Sequence, residues 1–580
     1  MMKCLMKKGA ALTALAVMLS VSSVTMANER VGDFALLDHD GYFHHMSWYD
    51  NHEALVFLTQ INGAPGTEQA LEDFAALEAR FADQGFRFFM INPLGQERES
   101  IQREVAQYGT DIPVLIDEVQ AISRELGIER AGQALVYDPQ SFEVIYSGPA
   151  GESLAEAVAA LAEGREIPSP QLAMTEGAPV RYYYRGRTDV SYSEDVAPIL
   201  ADNCARCHRD GGIAPFALDS HSMAQGWAPM IREVLMTKRM PPGQIDPHVG
   251  NVENTYTLSV EDERKVMEWI EAGAPKADNE PDPLAQLTWP ETEWAFGEPD
   301  MVLDVPPQEI PATGVLDYIH TQVPIPLQQD RWLKASQYLP GDRTVLHHTL
   351  NAVLGPDEDP RGSSFLGGGD PNEASIQAYI PGAQPAMEEP DTGGLLEAGS
   401  TLALQLHYTT TGRETVDRSR IGLWFYPEGE VPEERMSGRC ACIFTPTWTN
   451  IPPYDPNFEQ STTITLEQDA YLYSFLPHMH FRGKYMRFEA HYPDGSVEEL
   501  INIANYNYNW QMDYRLKDPK FVPAGTEIVA IGAFDNSEQN PNNPDPSRSV
   551  PWGQQSWDEM FFGAVSWKWA DQSQYHSGAD

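Results

Sequence analysis

Two groups of residues in this chain have the types and the spacing that redox chemistry needs. Cys204-Ala-Arg-Cys207-His208 is a CxxCH sequence, in which two thiols can add across the vinyl groups of a haem and the histidine can bind its iron. Further along, His347-His348, His407 and His478-Met479-His480 supply imidazoles, which bind copper, zinc, iron and nickel. A haem held by two thioethers is almost always an electron carrier, so the histidines are the predicted destination of its electrons.

The predicted haem site also has a sixth ligand, Met240. It lies in Lys238-Arg-Met-Pro-Pro-Gly243, where a Pro-Pro turn can present a thioether to the iron. The pattern resembles class I cytochromes c in their Met-Pro-Pro variant, which implies one covalent haem c bound by Cys204, Cys207, His208 and Met240. Three other methionines are alternatives, but their helical surroundings favour the core: Met223, Met230 and Met236.

The histidines differ in how readily they could share a metal ion. His478 and His480 are two residues apart, so on a strand their side chains share a face. His347 and His348 are adjacent and point to opposite faces of a regular strand, so they can share a metal only if the backbone bends or different ring nitrogens are used. Met560 would add a soft thioether, which favours copper. Met512 is a weaker rival to Met560, because it lacks the preceding Asp-Glu.

This ordered set resembles the copper type II, ascorbate-dependent monooxygenases, the peptidylglycine and dopamine β-monooxygenase family. The resemblance rests on the His-His pair and later histidine (347, 348, 407), followed by His-x-His and Asp-Glu-Met, and it spans residues 295–570. It implies two copper ions. One would be held by His347, His348 and His407 and would pass electrons; the other, held by His478, His480 and Met560, would bind dioxygen and hydroxylate a C–H bond. It also implies two jelly-roll-like sandwiches with a solvent cleft between the coppers.

Two departures from that family limit what the resemblance implies. Animal members are rich in disulfides, whereas Cys440 and Cys442 are the only cysteines in this half of the chain. Arg482 lies near the second histidine pair but does not match the arginine that holds a peptide carboxylate in the amidating branch. Peptide amidation is therefore not implied, and the substrate, a small molecule or a peptide, stays open.

Residues 30–165 alternate short apolar strands with amphipathic stretches, a βαβ pattern. Strands are predicted at 54–58, 86–91, 113–117 and 133–138, with a helix at 68–84. The order resembles a thioredoxin-like (redoxin) domain, on the Val31-Gly-Asp-Phe opening and on residues 112–117. The place of the reactive cysteine reads Gln60-Ile-Asn-Gly-Ala-Pro-Gly66, without a thiol. A thiol peroxidase or disulfide exchanger needs a thiolate nucleophile, so we interpret this domain as a redox-inactive docking module.

The predicted fold class is therefore multidomain: an α/β thioredoxin-like domain, an all-α cytochrome c domain and two tandem all-β sandwiches. Helices at 190–200 and 258–273 should flank the haem residues, and β-type runs separated by Pro-Gly, Asp-Pro and Asp-Gly turns fill residues 300–580. The expected boundaries are: 1–27 signal peptide, 28–170 thioredoxin-like, 186–280 cytochrome c, 295–440 and 441–575 the two sandwiches.

The first residues and the composition predict an exported protein. Positive charges, an apolar run from Gly9 to Val24 and Thr25-Met26-Ala27 form a secretory signal, with cleavage after Ala27. A periplasmic or secreted location follows, in a bacterium, and no membrane span is expected in the mature chain. The formal net charge of −46 argues against nucleic acid as a partner. Cys440 and Cys442 could form a local disulfide, remain thiols or bind metal.

Two functions of different classes fit these sequence features. The first is an exported copper monooxygenase that uses dioxygen and takes electrons through the haem from a periplasmic donor. The second is a non-catalytic haem and copper protein for electron transfer or copper handling. A peroxiredoxin is excluded because residues 30–165 hold no cysteine. His44-His45 is a pair, but its domain has no later histidine beyond the nearby His52 that could complete a site, and it is interpreted as surface or core. The same interpretation applies to the histidines that lack partners at ligand spacing: His39, His52, His221, His248, His320, His491 and His576.

Overall fold

The computed structural model describes residues 29–65, 67–183, 190–253, 255–289, 293–358, 372–381, 385–387 and 389–576. The predicted signal peptide, residues 1–27, lies outside the described residues. Among the described residues, no helix is long and apolar enough to cross a membrane.

The N-terminal region is a six-stranded sheet in the order β1-β8-β7-β4-β5-β6, with β4, β5 and β6 parallel and the other pairs antiparallel. Every residue of the strand at 54–59 is buried, which is why it reads as a continuous apolar run. The elements are β1 Glu29–Arg30, β2 Ala35–Leu37, β3 Phe43–His45, β4 Ala54–Thr59, α1 Thr67–Phe81, β5 Phe86–Asn92, α2 Arg98–Tyr108, β6 Val114–Ile116, α3 Ala121–Glu125, β7 Gln133–Asp138, β8 Glu143–Pro149 and α4 Glu152–Ala162.

This region has the predicted thioredoxin-like α/β architecture. All four predicted strands and the predicted helix are present, and α1 buries Leu71, Phe74 and Leu77 on one face, at the spacing that its amphipathic pattern indicates. The loop between β4 and α1 has amide side chains, linked by hydrogen bonds, where related domains have a thiol. Asn92 donates from Nδ2 to Gln60 Oε1 at 2.9 Å, and Gln60 donates to Asn62.

The CxxCH motif lies in a helical segment between 190 and 289. A π-helical turn, Tyr192–Val196, leads into α5 Ala197–Asn203, and α6 His221–Met236 and α7 Val260–Glu271 follow. The predicted helices before and after the motif are thus present. The buried apolar side chains of this segment form one continuous cluster with those of the thioredoxin-like domain. Arg124 and Glu125 of α3 pair with Glu271 and Arg232 across that contact.

The described residues of the first β region form three antiparallel sheets around an apolar core. A five-stranded sheet contains β9 Met301–Asp304, β12 Arg331–Leu339, β14 Ala386–Met387, β15 Gly394–Leu396 and β18 Arg420–Phe425. A three-stranded sheet contains β11 Ile319–Pro324, β13 Leu346–Leu354 and β16 Thr401–Tyr408, and a pair is formed by β10 Gln308–Ile310 and β17 Thr415–Asp417.

The second β region is built from two four-stranded antiparallel sheets that enclose a separate core. One contains β19 Ser437–Ile443, β21 Ala470–His478, β24 Tyr514–Val522 and β26 Phe561–Trp569, and the other β20 Phe458–Thr465, β22 Gly483–His491, β23 Val497–Ile503 and β25 Glu527–Phe534; a short helix, α8 Ser573–His576, follows. The strand β19 crosses the predicted boundary at residue 440 and pairs throughout with β26. The second region therefore begins before Ser437.

Candidate metal and haem sites

A β-bulge brings three histidines of the first β region together. His348 stands opposite His407 in the antiparallel pair of β13 and β16, and the register shifts between Leu346 and His348, so that His347 is the extra residue. Because of the bulge, the adjacent residues His347 and His348 do not point to opposite faces as they would on a regular strand. The His347 ring centroid lies 5.2 Å from that of His348 and 5.1 Å from that of His407. One nitrogen of each ring lies within 4.8 Å of the others.

The three rings are held as neutral imidazoles. Burial lowers the pKa of His348 well below its usual value and lowers that of His407 to about 3. Burial lowers the pKa of His347 as well, although its hydrogen bond with Asn509 opposes the shift. His347 presents Nε2 to Asn509 Oδ1 at 3.1 Å, while its Nδ1 faces His348 Nδ1 at 2.9 Å. Metal ions bind the deprotonated ring, so the donor set fits copper or zinc.

The second pair, His478 and His480, lies where β21 ends, with its ring centroids 5.2 Å apart. Each ring is fixed through Nδ1: that of His478 bonds Gln511 Oε1 at 2.5 Å, and that of His480 lies 3.2 Å from the Asp558 carbonyl. The bond of His478 through Nδ1 leaves its Nε2 for a ligand, and the His480 ring is hydrogen-bonded to the backbone of both Asp558 and Gln555. Such acceptors set the orientation of a ligand ring. Burial lowers the pKa of both rings, and that of His480 falls well below its usual value.

The residue before Met560 ties it to the histidine pair. Glu559 accepts hydrogen bonds from the backbone N–H groups of His480, at 2.8 Å, and Arg482, at 2.7 Å. Met560 follows directly and is buried, and Phe562 stacks on the His478 ring at 5.5 Å. The Asp558-Glu559-Met560 segment, which directly precedes β26, is thus held against the turn that contains His480.

Arg482 is fully buried and committed to the fold. It donates to Asn536 Oδ1 and to the Trp557 carbonyl, at 2.8 and 2.9 Å. Arg482 thus holds the turn after His480 against Asn536 and Trp557.

Tyr508 connects the two histidine sets. The resemblance implies that a solvent cleft separates these sets. Its ring stacks on His347 at 4.8 Å and lies 6.3 Å from the His480 ring, and its hydroxyl lies 3.4 Å from His407 Nδ1. Unfavourable electrostatic interactions of a protonated His348 with His478 and His480 also contribute to its lowered pKa, after burial and the interactions with His347 and His407. The Tyr508 side chain therefore lies next to histidines of both sets.

Sequence reasoning missed this connecting segment. Tyr508, Asn509 and Gln511 each contact a predicted ligand. The stretch Asn505-Tyr-Asn-Tyr-Asn-Trp-Gln-Met alternates amides with apolar residues as a half-buried strand does, but it forms no strand in the structure. The density of amides and aromatics was the available signal. Met512, the rival to Met560, is buried and packs against Gly243 of the helical segment.

The CxxCH residues occupy a helical turn after α5. The N–H groups of Cys207 and His208 both donate to the Cys204 carbonyl, and both cysteines are free thiols. Burial raises the pKa of Cys204 to about 12 and that of Cys207 in the same direction. The His208 ring packs on Phe216 at 4.3 Å, and its Nδ1 is buried without a well-formed hydrogen bond. Two adjacent free thiols and an incompletely bonded imidazole fit covalent haem attachment.

Met240 is not brought to the CxxCH motif by the contacts of the described residues. It lines a small cavity of about 110 Å³ at the contact with the thioredoxin-like domain, whereas Cys207 lines a different cavity of about 550 Å³. Among the alternative methionines, Met236 is buried as expected, but Met230 is 45% exposed, so the expectation that it is core is wrong. The distal ligand stays a prediction.

Two histidines and two cysteines outside the candidate sites have partners within the fold. His44 bonds Asp38 and Tyr49 at 2.8 and 2.7 Å, and His45 pairs with Asp33 at 2.7 Å. Cys440 and Cys442 form a disulfide on β19. Of the three alternatives for that pair, the structure contains the local disulfide.

Comparisons with known proteins address the first quarter of the chain. Residues 27–148 match the AhpC/TSA family, which supports the thioredoxin-like assignment for this domain. No curated protein resembles the chain closely enough to count as a match.

Solved structures give weak likenesses. A hypothetical protein from Sinorhizobium meliloti 1021 is 23% identical, covering 27% of this chain and 93% of its own, with a TM-score of 0.23. The thioredoxin domain of a thiol-disulfide oxidoreductase from Bacteroides vulgatus is 12% identical, covering 24% and 99%, with a TM-score of 0.22. A peroxidoxin from Mycobacterium tuberculosis is 17% identical, covering 24% and 96%, with a TM-score of 0.21. At these TM-scores the likenesses carry no weight for function.

Proposed function

We propose that this chain is an exported copper-dependent monooxygenase that receives its electrons through a covalently attached c-type haem. The observation that supports this most is that Tyr508 lies against members of both histidine sets: His347 and His407 of the first, and His480 of the second. Two histidine sets that are far apart in sequence would not be brought to one buried tyrosine merely to fill a core, because apolar side chains fill a core without the penalty of burying polar groups.

Two sets of residues would hold copper, which supplies one-electron transfer and activation of dioxygen when bound. The first set is His347, His348 and His407, and the second is His478, His480 and Met560. The buried rings remain neutral and so need not lose a proton before they bind a metal ion. Gln511 and Asn509 hold His478 and His347 in fixed orientations.

The haem would be attached through Cys204 and Cys207, with His208 as the proximal ligand. A haem of this type supplies single electrons when bound. The thioredoxin-like domain holds no thiol in its β4–α1 loop, so its part in this function is to support the helical segment, with which it shares a core.

The experiment that tests this function is oxygen incorporation by copper-loaded, haem-containing protein. Ascorbate serves as reductant and ¹⁸O₂ as oxidant, with a panel of small aromatic, aliphatic and peptide compounds. We expect one ¹⁸O atom in a product of at least one class. Incorporation should be lost in His407→Ala and Met560→Ala and kept in His491→Ala, whose ring pairs with Glu489 away from the site.

The non-catalytic alternative predicts a different outcome. Copper and haem would both bind, but oxygen uptake would not depend on any added compound and no product would contain ¹⁸O. That result would leave an electron-transfer or copper-handling protein.

A further inference from the structure

A cavity of about 550 Å³ lies between the CxxCH motif and the first β region. We propose that this cavity is a haem seat shared by the two regions, in which arginines from both bind the two propionate carboxylates of the haem. The inference rests on the haem attachment proposed above and adds the site where the carboxylate edge is held. The volume falls in the range of about 300–1,000 Å³ that is typical of ligand pockets.

The charges that line the cavity suit an anionic ligand. Arg206 and Arg209 come from the CxxCH turn, and Arg343 comes from the loop before β13. Among the described lining residues they face one carboxylate, Glu293, which pairs with Arg343 at 2.7 Å. Three guanidinium groups against one carboxylate leave a net positive lining in a chain whose formal charge is −46. Guanidinium groups bind carboxylates through paired hydrogen bonds.

The remaining walls suit a flat apolar ring. The aromatic side chains that line the cavity are Tyr256, Trp289, Trp294, Tyr338 and Tyr379. The Arg209 guanidinium lies over the Trp289 ring at 4.7 Å, and its Nε atom has no hydrogen-bond partner among the described residues. Cys207, one of the two attachment thiols, opens onto the same space. A macrocycle attached there would lie between aromatic walls and would meet the arginines at its polar edge.

The far wall of the cavity is bonded to the strand that carries the first histidine set. The Tyr379 N–H donates to Thr349 Oγ1 at 2.8 Å, and the Thr349 N–H donates to the Tyr379 carbonyl at 2.9 Å. Thr349 directly follows His348 on β13. The proposed seat therefore places the haem beside β13, the strand that carries His347 and His348.

The test uses the full chain with its haem attached, and its readout is the haem midpoint potential measured by spectroelectrochemistry. In Arg343→Gln and Arg209→Gln we expect haem attachment to persist and the potential to shift downward, because loss of a nearby cation stabilises the ferric form. The shift should be larger in the double variant and absent in Arg343→Lys. The matched control is Lys276→Gln, which removes one charge from the helical segment away from the cavity.

A second readout reports on the carboxylates themselves. A propionate that loses its arginine should have a higher pKa, so the potential of Arg343→Gln should depend more steeply on pH near neutrality than that of the control. Attached haem with potentials and pH profiles equal to the control in both single variants would overturn the shared seat. Copper binding and ¹⁸O incorporation are scored separately, so that result would leave the proposed function standing. Wild-type protein without covalent haem would overturn both.

Discussion

Gln511 fixes one imidazole of the second histidine pair, although it lies 33 residues away in sequence. Its Oε1 atom accepts from His478 Nδ1 at 2.5 Å, and its Nε2 atom donates to the Tyr508 carbonyl at 2.9 Å. The side chain thus joins a predicted ligand to the segment that contacts the other set. Partners of this kind set which ring nitrogen is free for the metal ion.

Replacing Gln511 by leucine should weaken copper binding at the second site and leave the first site intact. Loss of such a partner typically lowers metal affinity by about 10- to 100-fold. Copper titration with a competing chelator, read by electron paramagnetic resonance, measures each site. Gln511→Glu is the matched control because it keeps the acceptor. Equal affinity in Gln511→Leu and wild type would contradict an orienting role.

The turn between β21 and β22 shows how one buried carboxylate organises an element. Glu559 is fully buried and accepts the N–H groups of His480 and Arg482, so it holds both ends of the turn that carries the second pair. Burial raises the pKa of Glu559 to about 8, against the opposing effect of those N–H groups and of the Arg482 guanidinium. Burial of this carboxylate is unfavourable, but the two hydrogen bonds that it accepts fix the geometry of the turn.

Glu559→Ala should therefore destabilise the second β region by about 2–4 kcal/mol, because two buried N–H groups lose their acceptor. Guanidinium-induced unfolding followed by tryptophan fluorescence measures the loss. Glu559→Gln keeps an acceptor oxygen and should lose less. If Ala and Gln variants unfold at the same denaturant concentration as wild type, these two hydrogen bonds do not stabilise the turn.

Periodic elements could be predicted from the sequence, and irregular ones could not. The four strands of the thioredoxin-like domain and α1 follow from apolar runs and an amphipathic repeat. The bulge at His347 depends on the pairing of β13 with β16, which a single strand does not reveal. The role of Tyr508 depends on tertiary contacts alone. The candidate ligands could thus be named, but the residues that orient and connect them could not.

At the scale of the molecule, the loop that follows Met240 joins three regions. Asp246 of that loop pairs with Arg98 of the thioredoxin-like domain at 2.5 Å, and its N–H donates to the Asn502 carbonyl in the second β region. Asn502 in turn donates to the Gly41 carbonyl at 2.9 Å. Through the shared core and this junction, the thioredoxin-like domain packs against the helical segment and contacts the second β region.

A second ion pair at the same junction should make its stability depend on pH. His248 Nε2 lies 3.3 Å from Glu118 Oε2. The hydrogen bond to Glu118 raises the pKa of His248 above 6.5, with a further rise from the Glu118 charge and an opposing effect of burial. Burial acts to raise the pKa of Glu118, but the hydrogen bond and charge of His248 outweigh it and the net pKa falls below 4.5.

The sign of the effect follows from these two shifts. The histidine contribution is complete below pH 6.5 and is lost as the pH rises through its raised pKa, and the glutamate contribution is lost as the pH falls below 4.5. His248→Asn should cost about 0.5–1 kcal/mol near pH 5.5 and much less near pH 8.5. Thermal unfolding at both pH values measures this difference. A cost that does not change with pH would exclude the pair as its origin.

The measurement that tests the two-copper, one-haem assignment most directly is the metal and haem content of protein matured in a bacterial periplasm. Wild type is compared with His407→Ala, Met560→Ala and the control His491→Ala, by elemental analysis and haem absorbance. We predict one haem and two coppers in wild type and in the control, one copper in His407→Ala, and lost or weakened second-site copper in Met560→Ala. Zinc in place of copper, or a single copper that is indifferent to Met560, would contradict the two-site assignment.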